Sequence, residues 1–114
     1  MIQTTDATFI HDVVNSPVPI IVDLWAEWCT PCKLLSPVLD ELEIIFNEDV
    51  RIAKLNIDSN PEIPQAYNVK GIPTLLFFNN KQFKGKIVGN VNKESILEKL
   101  KILELYPPKA EVPM

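Results

Sequence analysis

An apolar run leads directly into two closely spaced cysteines between residues 20 and 33, and this feature constrains the fold most. The run Ile20-Ile-Val-Asp-Leu-Trp25 is rich in β-branched and apolar residues, which is typical of a central strand covered on both faces. Cys29 and Cys32 are the only two cysteines in the chain, and the residues after them have helical periodicity. The stretch therefore predicts a strand-to-helix junction that carries a Cys-X-X-Cys motif.

The spacing of Cys29 and Cys32 suits a disulfide that opens and closes. Residues three apart on a helix have Cβ atoms roughly 5–6 Å apart, and a disulfide needs about 3.5–4.5 Å. A small adjustment at the helix start would bring the sulfurs together. Because the closed loop is short, the bond removes little chain entropy, and the pair suits electron exchange better than structural support.

The start of a helix also distinguishes the two sulfurs. Unpaired N–H groups and the positive end of the helix dipole favour the thiolate of Cys29, which precedes the first turn. Pro31 suits that turn because it has no N–H to leave unpaired, and Thr30 is expected to cap the helix. We expect Cys29 to point at solvent and attack disulfides, and Cys32, which lies deeper, to resolve the mixed disulfide.

The numbers of cysteines and histidines argue against a metal site. Zinc usually takes four protein ligands from Cys and His in a structural site, and this chain has two cysteines and one histidine, His11. No second pair accompanies the motif, so we predict no bound metal. We interpret His11 as a surface residue on an early helix.

Length, charge and hydropathy limit the classes of partner. The 114 residues predict one domain, and a net charge of −4 without a basic run makes nucleic acid and anionic membranes unexpected partners. No apolar run reaches the roughly 18 residues of a transmembrane helix. Residues 1–6 lack the basic-then-apolar pattern of a signal peptide. We therefore expect a reducing compartment, where a cysteine pair is catalytic or metal-binding.

Hydrophobic periodicity predicts alternating strands and helices along the chain. Strands are predicted at residues 2–5, 18–25, 50–57, 74–79 and 83–88. Helices are predicted at 6–15, with Asp6 as its cap, at 31–47, from the turn at 58–61 to about 67, and at 92–106. We expect one domain over residues 1–106 and a flexible tail at 107–114.

Asp23 is the anomaly of the first apolar run. A buried carboxylate is costly unless it is paired or protonated, and burial raises the pKa of such a group. A carboxylate of this kind accepts a proton near neutral pH. The alternative is a solvated charge at the edge of the strand.

Three segments, in this order along the chain, resemble the signatures of the thioredoxin family. They are Trp25-Ala-Glu-Trp-Cys-Thr-Pro-Cys-Lys33, Gly71-Ile-Pro-Thr74 and Val88-Gly89. The similarity extends from about residue 6 to residue 106. It implies an α/β fold, a thioredoxin-like three-layer sandwich in which a central mixed five-stranded sheet is flanked by four helices.

The resemblance implies roles for two charged residues. Asp23 would lie behind Cys32 and take its proton through water. Lys54 matches the family lysine that pairs with this carboxylate, and a plain surface lysine is the alternative. A nearby cation lowers the pKa of a carboxyl group and burial raises it, and the sequence leaves open which effect prevails.

The resemblance also implies a docking surface for substrate. A cis Ile72–Pro73 bond would lie against the disulfide and expose the Ile72 backbone to an extended peptide, and Gly89 would let a substrate backbone approach. Trp28 is either part of this surface or a packing residue. The predicted substrate-binding residues are Trp28, Thr30, Pro31, Ile72, Pro73, Gly89 and Val91.

The function implied by the resemblance is reduction of protein disulfides in the cytoplasm. We expect a monomer with no resident cofactor that acts on disulfide-containing client proteins and is recycled by thioredoxin reductase, which uses NADPH. Thr30 stands where the family usually has glycine, and its stiffer backbone leaves the direction of electron flow open. The alternatives are a thiol oxidase or disulfide isomerase on the same fold, and a non-catalytic binding subunit.

Overall fold

The computed structural model describes residues 1–109, in which five strands alternate with four helical segments. The strands are β1 (Ile2–Gln3), β2 (Ile20–Trp25), β3 (Arg51–Asn56), β4 (Thr74–Asn79) and β5 (Gln82–Val88). The helical segments are a π-helix (Ile10–Val14), α1 (Thr30–Phe46), α2 (Glu62–Ala66) and α3 (Lys93–Ile102). This architecture confirms the predicted α/β fold. Most of the predicted tail, residues 110–114, lies outside the described residues.

The strands form one mixed sheet in the order β1-β3-β2-β4-β5. β2 lies at its centre, parallel to β3 on one side and antiparallel to β4 on the other. β1 pairs parallel with β3, and β5 pairs antiparallel with β4 at the opposite edge. The apolar run that predicted a strand covered on both faces is therefore the central strand.

Alternate residues of the strands feed two separate cores. Ile21 faces α1 and α3, and its neighbours Ile20 and Val22 face the π-helix and α2. The α1 core contains Ile21, Leu35, Leu39, Leu42, Phe46, Val50, Ile52, Leu75, Phe77, Ile96, Leu100 and Leu105. The opposite core contains Phe9, Val13, Ile20, Val22, Leu24, Ala53, Leu55, Leu76 and Phe78. The sheet thus has a helical layer on each face, which makes three layers.

Helix α1 covers the sheet with one apolar stripe and continues past an internal proline. Leu35, Leu39 and Leu42 are fully buried at helical spacing. Pro37 lies inside the helix on the exposed side, where it removes the N–H that would bond the Lys33 carbonyl. Ile45, which the periodicity places on the inner face, is 44 % exposed, so that part of the prediction is wrong.

The N-terminal segment differs from the predicted helix at residues 6–15. Only Ile10–Val14 is helical, with π geometry, and Ile10 is 67 % exposed. Asp6 caps α2 instead of its own segment, because its carboxylate oxygens accept the backbone N–H groups of Glu62 and Ile63, each at 3.0 Å. The α2 N-cap residue, Pro61, has no side-chain acceptor to offer.

The last helix ends at Ile102, four residues before the predicted end at residue 106. Glu104 has a φ of 60°, and the Leu105 N–H donates to the Leu100 carbonyl at 2.8 Å, which together form a Schellman ending. This turn directs Leu105 into the α1 core and Tyr106 against Phe46, with ring centroids 4.9 Å apart. The apolar residues after 102 therefore continue the core without continuing the helix.

We predict that Asp6→Ala lowers the free energy of unfolding by about 1–2 kcal/mol, because two N–H groups of α2 lose their acceptor. Urea denaturation followed by circular dichroism measures this change. Asp40→Ala, at an exposed position on α1, is the matched control and should change the stability by less than about 0.5 kcal/mol. Equal effects of the two substitutions would contradict the capping role.

Candidate active site

Cys29 and Cys32 are joined by a disulfide at the start of α1, with their Cα atoms 5.3 Å apart. Cys29 is the N-cap residue, with extended backbone, and its Sγ accepts the N–H of Cys32 at 3.2 Å. Thr30 was expected to cap the helix, but it is the first helical residue and Pro31 follows it in the first turn. The sulfur of the first cysteine therefore occupies the position of a helix-capping oxygen.

Access to the two sulfur-bearing residues differs from the sequence expectation. Cys29 and Cys32 are each 4 % exposed, so the prediction that Cys29 points at solvent is wrong for the disulfide form. Both pack with the buried Ala26, and Ile57 and Ile72 cover this cluster. The disulfide draws both sulfurs into the same buried cluster, and the residues between them, Thr30 and Pro31, are exposed.

Asp23 lies on β2 beside the α1 core, because it follows Ile21 by two residues along the strand. The residue is 1 % exposed, and neither carboxylate oxygen has a hydrogen-bond partner among residues 1–109. Burial raises the pKa of Asp23 from an ordinary value of 3.8 to about 6, and the charge of Lys54 lowers it by less. Burial outweighs the cation, and Asp23 is not a solvated edge charge.

Lys54 is paired in register with Asp23 across β2 and β3, but it does not form the expected ion pair with it. Its ammonium lies over the ring of Trp25, 4.9 Å from the ring centroid, which is within range of a cation–π contact. Lys54 is half-buried, so the surface-lysine alternative also fails. Sequence reasoning missed Trp25 at this site because nothing in its motif indicates which cation its ring contacts.

The segment predicted to bind substrate backbone is assembled from two distant parts of the chain. The Ile72–Pro73 peptide bond is cis, as the resemblance implies. The N–H of Gly89 donates to the Pro73 carbonyl at 2.8 Å, which fixes the end of β5 next to this bond. Gly89 has a φ of 94°, a conformation that favours glycine, and a Cβ built there would meet no atom within 4 Å.

The other predicted substrate-binding residues lie in different surroundings. Trp28 is 66 % exposed, and its Nε1 donates to Asp58 at 3.0 Å, so it is not a core-packing residue. Val91 is half-buried against the α1 core. Trp28 and Ile72 also line an open groove of about 350 Å³, which sequence reasoning missed because its walls come from separate parts of the chain. The remaining lining residues are Ile57, Pro64, Val69, Lys70 and Gly71.

Residues 1–109 contain neither a metal-binding cluster nor a membrane-spanning helix. No three or more His, Cys, Asp and Glu side chains are grouped so that they could hold a metal ion. Within the same residues, no helix combines the length and the apolar character needed to cross a membrane. His11 is exposed, and its Nδ1 lies 3.1 Å from a carboxylate oxygen of Asp12.

The thioredoxin family model matches residues 1–102 of the chain. The chain belongs to the thioredoxin family. A curated relative named thioredoxin from Rickettsia bellii (strain RML369-C) is 43 % identical over 96 residues, which cover 84 % of this chain and 91 % of the relative. The thioredoxin of Pseudomonas aeruginosa is 42 % identical over 96 residues, which cover 84 % and 89 %. Thioredoxin 1 of Nostoc sp. is 39 % identical over 98 residues, which cover 86 % and 92 %.

Thioredoxin-family membership and the Cys29–Cys32 disulfide together identify the chemistry of the chain. The protein is a thiol–disulfide oxidoreductase that works by dithiol–disulfide exchange. This agrees with the reaction class predicted from the Cys-X-X-Cys motif at the start of a helix.

We predict that replacing Asp23 changes stability in a pH-dependent way. A raised pKa means that the folded state binds the proton more tightly than the unfolded state, so stability falls as pH rises from about 4 to above 6. Asp23→Asn abolishes this titration. In urea denaturation of the disulfide form, its stability relative to the parent should therefore increase by about 2–3 kcal/mol between pH 4 and pH 8.

Asp40→Asn, at an exposed position on α1, is the matched control, and its effect should be nearly independent of pH. If the difference in unfolding free energy between Asp23→Asn and the parent were the same at pH 4 and pH 8, the raised pKa of Asp23 would be refuted.

Proposed function

We propose that the protein reduces disulfides in client proteins, with Cys29 as the attacking sulfur. The observation that carries this proposal is the hydrogen bond from the Cys32 N–H to the Cys29 Sγ at the first turn of α1. In the reduced protein the same N–H, together with the positive end of the helix dipole, would stabilise a negative charge on Cys29. The thiolate is the nucleophile in disulfide exchange.

The proposed reaction moves two electrons from the dithiol to the client. The Cys29 thiolate attacks one sulfur of the client disulfide, a mixed disulfide forms, and the other client sulfur leaves as a thiolate that takes up a proton. The Cys32 thiolate then attacks the Cys29 sulfur. The Cys29–Cys32 disulfide forms, and the second client sulfur leaves and is protonated.

Asp23 is proposed to accept the proton of Cys32 before that second step. Its support is the burial of a carboxylate with a pKa of about 6 on the β2 face that α1 covers. A base with a pKa close to the working pH is well matched to proton transfer. Lys54 is proposed to act on this step through its charge, which opposes the effect of burial on Asp23.

Clients are proposed to bind as extended chains along the segment next to the disulfide. The exposed Trp28, Thr30 and Pro31 would contact client side chains, and the Ile72 backbone would pair with the client backbone. Open space at Gly89 supports a close approach of that backbone. Pro73 and Val91, which are more buried, would support the surface from beneath.

The last step of the proposed cycle, reduction of the Cys29–Cys32 disulfide, requires a second protein. We infer that thioredoxin reductase returns the Cys29–Cys32 disulfide to the dithiol with electrons from NADPH, and that the chain needs no cofactor of its own. Cytoplasmic location and a monomeric state complete the proposal. A net charge of −4 on the chain opposes binding of nucleic acid, which is also negatively charged.

Insulin reduction tests the whole cycle. With NADPH and a purified thioredoxin reductase, the protein should accelerate insulin precipitation and consume NADPH, and a variant with both cysteines changed to serine should do neither. A protein that leaves insulin intact under these conditions would not be a disulfide reductase of this type.

Thr30, which is exposed between the cysteines where the family usually has glycine, leaves one rival to be tested, an oxidase or isomerase on the same fold. We predict a reducing potential, below roughly −240 mV, in equilibrium with glutathione. Thr30→Gly, measured in parallel, isolates the contribution of this side chain. A potential near the roughly −180 to −120 mV of isomerases and strong oxidants would favour the oxidase or isomerase function.

We predict that Cys32→Ser traps client proteins on Cys29 as mixed disulfides, because the resolving sulfur is missing. Non-reducing electrophoresis and mass spectrometry of the adducts measure this. Cys29→Ser is the matched control and should trap far less, since Cys32 lies inside the first turn of α1 and lacks the N-cap position that favours a thiolate. A binding subunit without catalysis would retain affinity for partners and trap none in either variant.

A further inference from the structure

Trp25 lies between the disulfide and the lysine that opposes the burial effect on Asp23. It packs against the cluster of Ala26, Cys29 and Cys32, and its ring face lies 4.9 Å from the Lys54 ammonium. The indole Nε1 is buried and has no hydrogen-bond partner among the described residues. The polar contact of this side chain is therefore made by its ring face and not by its N–H.

The register of the sheet gives Lys54 a second possible partner. Asp23 and Lys54 are opposite one another on β2 and β3, and parallel neighbours about 4.8 Å apart project to the same face. A lysine has a flexible four-carbon stem and an ammonium that readily pairs with carboxylates. Even so, both oxygens of Asp23 lack a partner within residues 1–109. The ring of Trp25 and the carboxylate thus compete for one ammonium, and the ring holds it.

We propose that Trp25 is a positioning residue for the exchange reaction, because its ring holds the Lys54 ammonium away from the Asp23 carboxylate. The consequence for catalysis relies on the proposed role of Asp23 as the proton acceptor for Cys32. A carboxylate in direct contact with an ammonium would be a weaker base, whereas a carboxylate left without that contact binds the proton of Cys32 near neutral pH.

Among the groups that pack around Asp23, Lys54 is the cation that changes its proton affinity. On β4, the residue opposite Asp23 is the apolar Leu75. α1 contributes apolar residues and the cysteine pair, which is uncharged as a disulfide. The charge of Lys54, from β3, is the one that acts on Asp23. A change in the position of this ammonium therefore changes the proton affinity of Asp23 directly.

The test follows the titration of Asp23 by carboxyl ¹³C NMR in the disulfide form, where no cysteine titrates. Trp25→Leu removes the ring face and frees Lys54 to pair with the carboxylate. The acid dissociation constant of Asp23 should then rise about tenfold, the lower end of the effect of a cation in contact with a carboxylate. Trp25→Phe keeps an aromatic face and should change the constant by less than about threefold.

Trp25→Leu in a Lys54→Met background distinguishes positioning of the Lys54 ammonium from a general loss of packing around Asp23. Entry of solvent through the smaller leucine would shift the Asp23 titration whether or not Lys54 is present. Positioning predicts that Trp25→Leu changes the dissociation constant by less than about twofold once Lys54 is gone. An equal shift in both backgrounds, or no shift in either, would overturn the proposal.

The parent protein supplies a readout that needs no substitution. A ring face over the ammonium should move the Lys54 ε-methylene proton resonances upfield, and unshifted resonances would refute the contact. Single-turnover resolution of a mixed disulfide distinguishes this proposal from the proposed role of Asp23. If Asp23→Asn left the resolution rate unchanged at pH 7, the proton-acceptor role would fail, while the positioning of Lys54 by Trp25 would still stand on the titrations.

Discussion

Burial of β2 on both faces is the constraint on which the rest of this structure depends. The strand lies at the centre of the sheet, with α1 and α3 on one side and the π-helix and α2 on the other. Four residues separate the end of β2 from the start of α1, and Cys29 caps this helix. The same burial removes Asp23, the one charged residue of the strand, from bulk solvent.

The site combines groups that an ordinary core would exclude. The Asp23 carboxylate and the Trp25 indole N–H have no hydrogen-bond partner within residues 1–109, and unsatisfied buried groups of this kind are destabilising. Buried groups with raised pKa values concentrate at functional sites. The proposed reaction explains this arrangement. Asp23 needs a high proton affinity to accept the proton of Cys32, and the charge of Lys54 lowers that affinity without direct contact with the carboxylate. The position of the ammonium, set by Trp25, decides the balance.

The sequence predicted the parts of this structure that depend on local patterns. The apolar β2 run, the helix after Cys29 and the strands β4 and β5 follow from periodicity. Between those two strands, Asn80 and Lys81 both have the positive φ of a type I′ turn. Contacts between distant residues could not be predicted. Asp6 caps a helix 56 residues away, and Lys54 contacts the Trp25 ring instead of the Asp23 carboxylate. Such choices depend on three-dimensional distances that sequence spacing does not encode.

In the proposed reaction the start of α1 makes Cys29 the thiolate of the reduced pair, and alkylation of the reduced protein tests this role of Cys29. Iodoacetamide labelling at pH 5–9, with each cysteine quantified by peptide mass spectrometry, gives the rate at each sulfur. We predict that Cys29 reacts at least about tenfold faster than Cys32 at pH 7, and that its rate stops rising at a pH well below roughly 8.5, the pKa of an ordinary cysteine thiol. Equal rates at both sulfurs, rising only near pH 8.5, would contradict it.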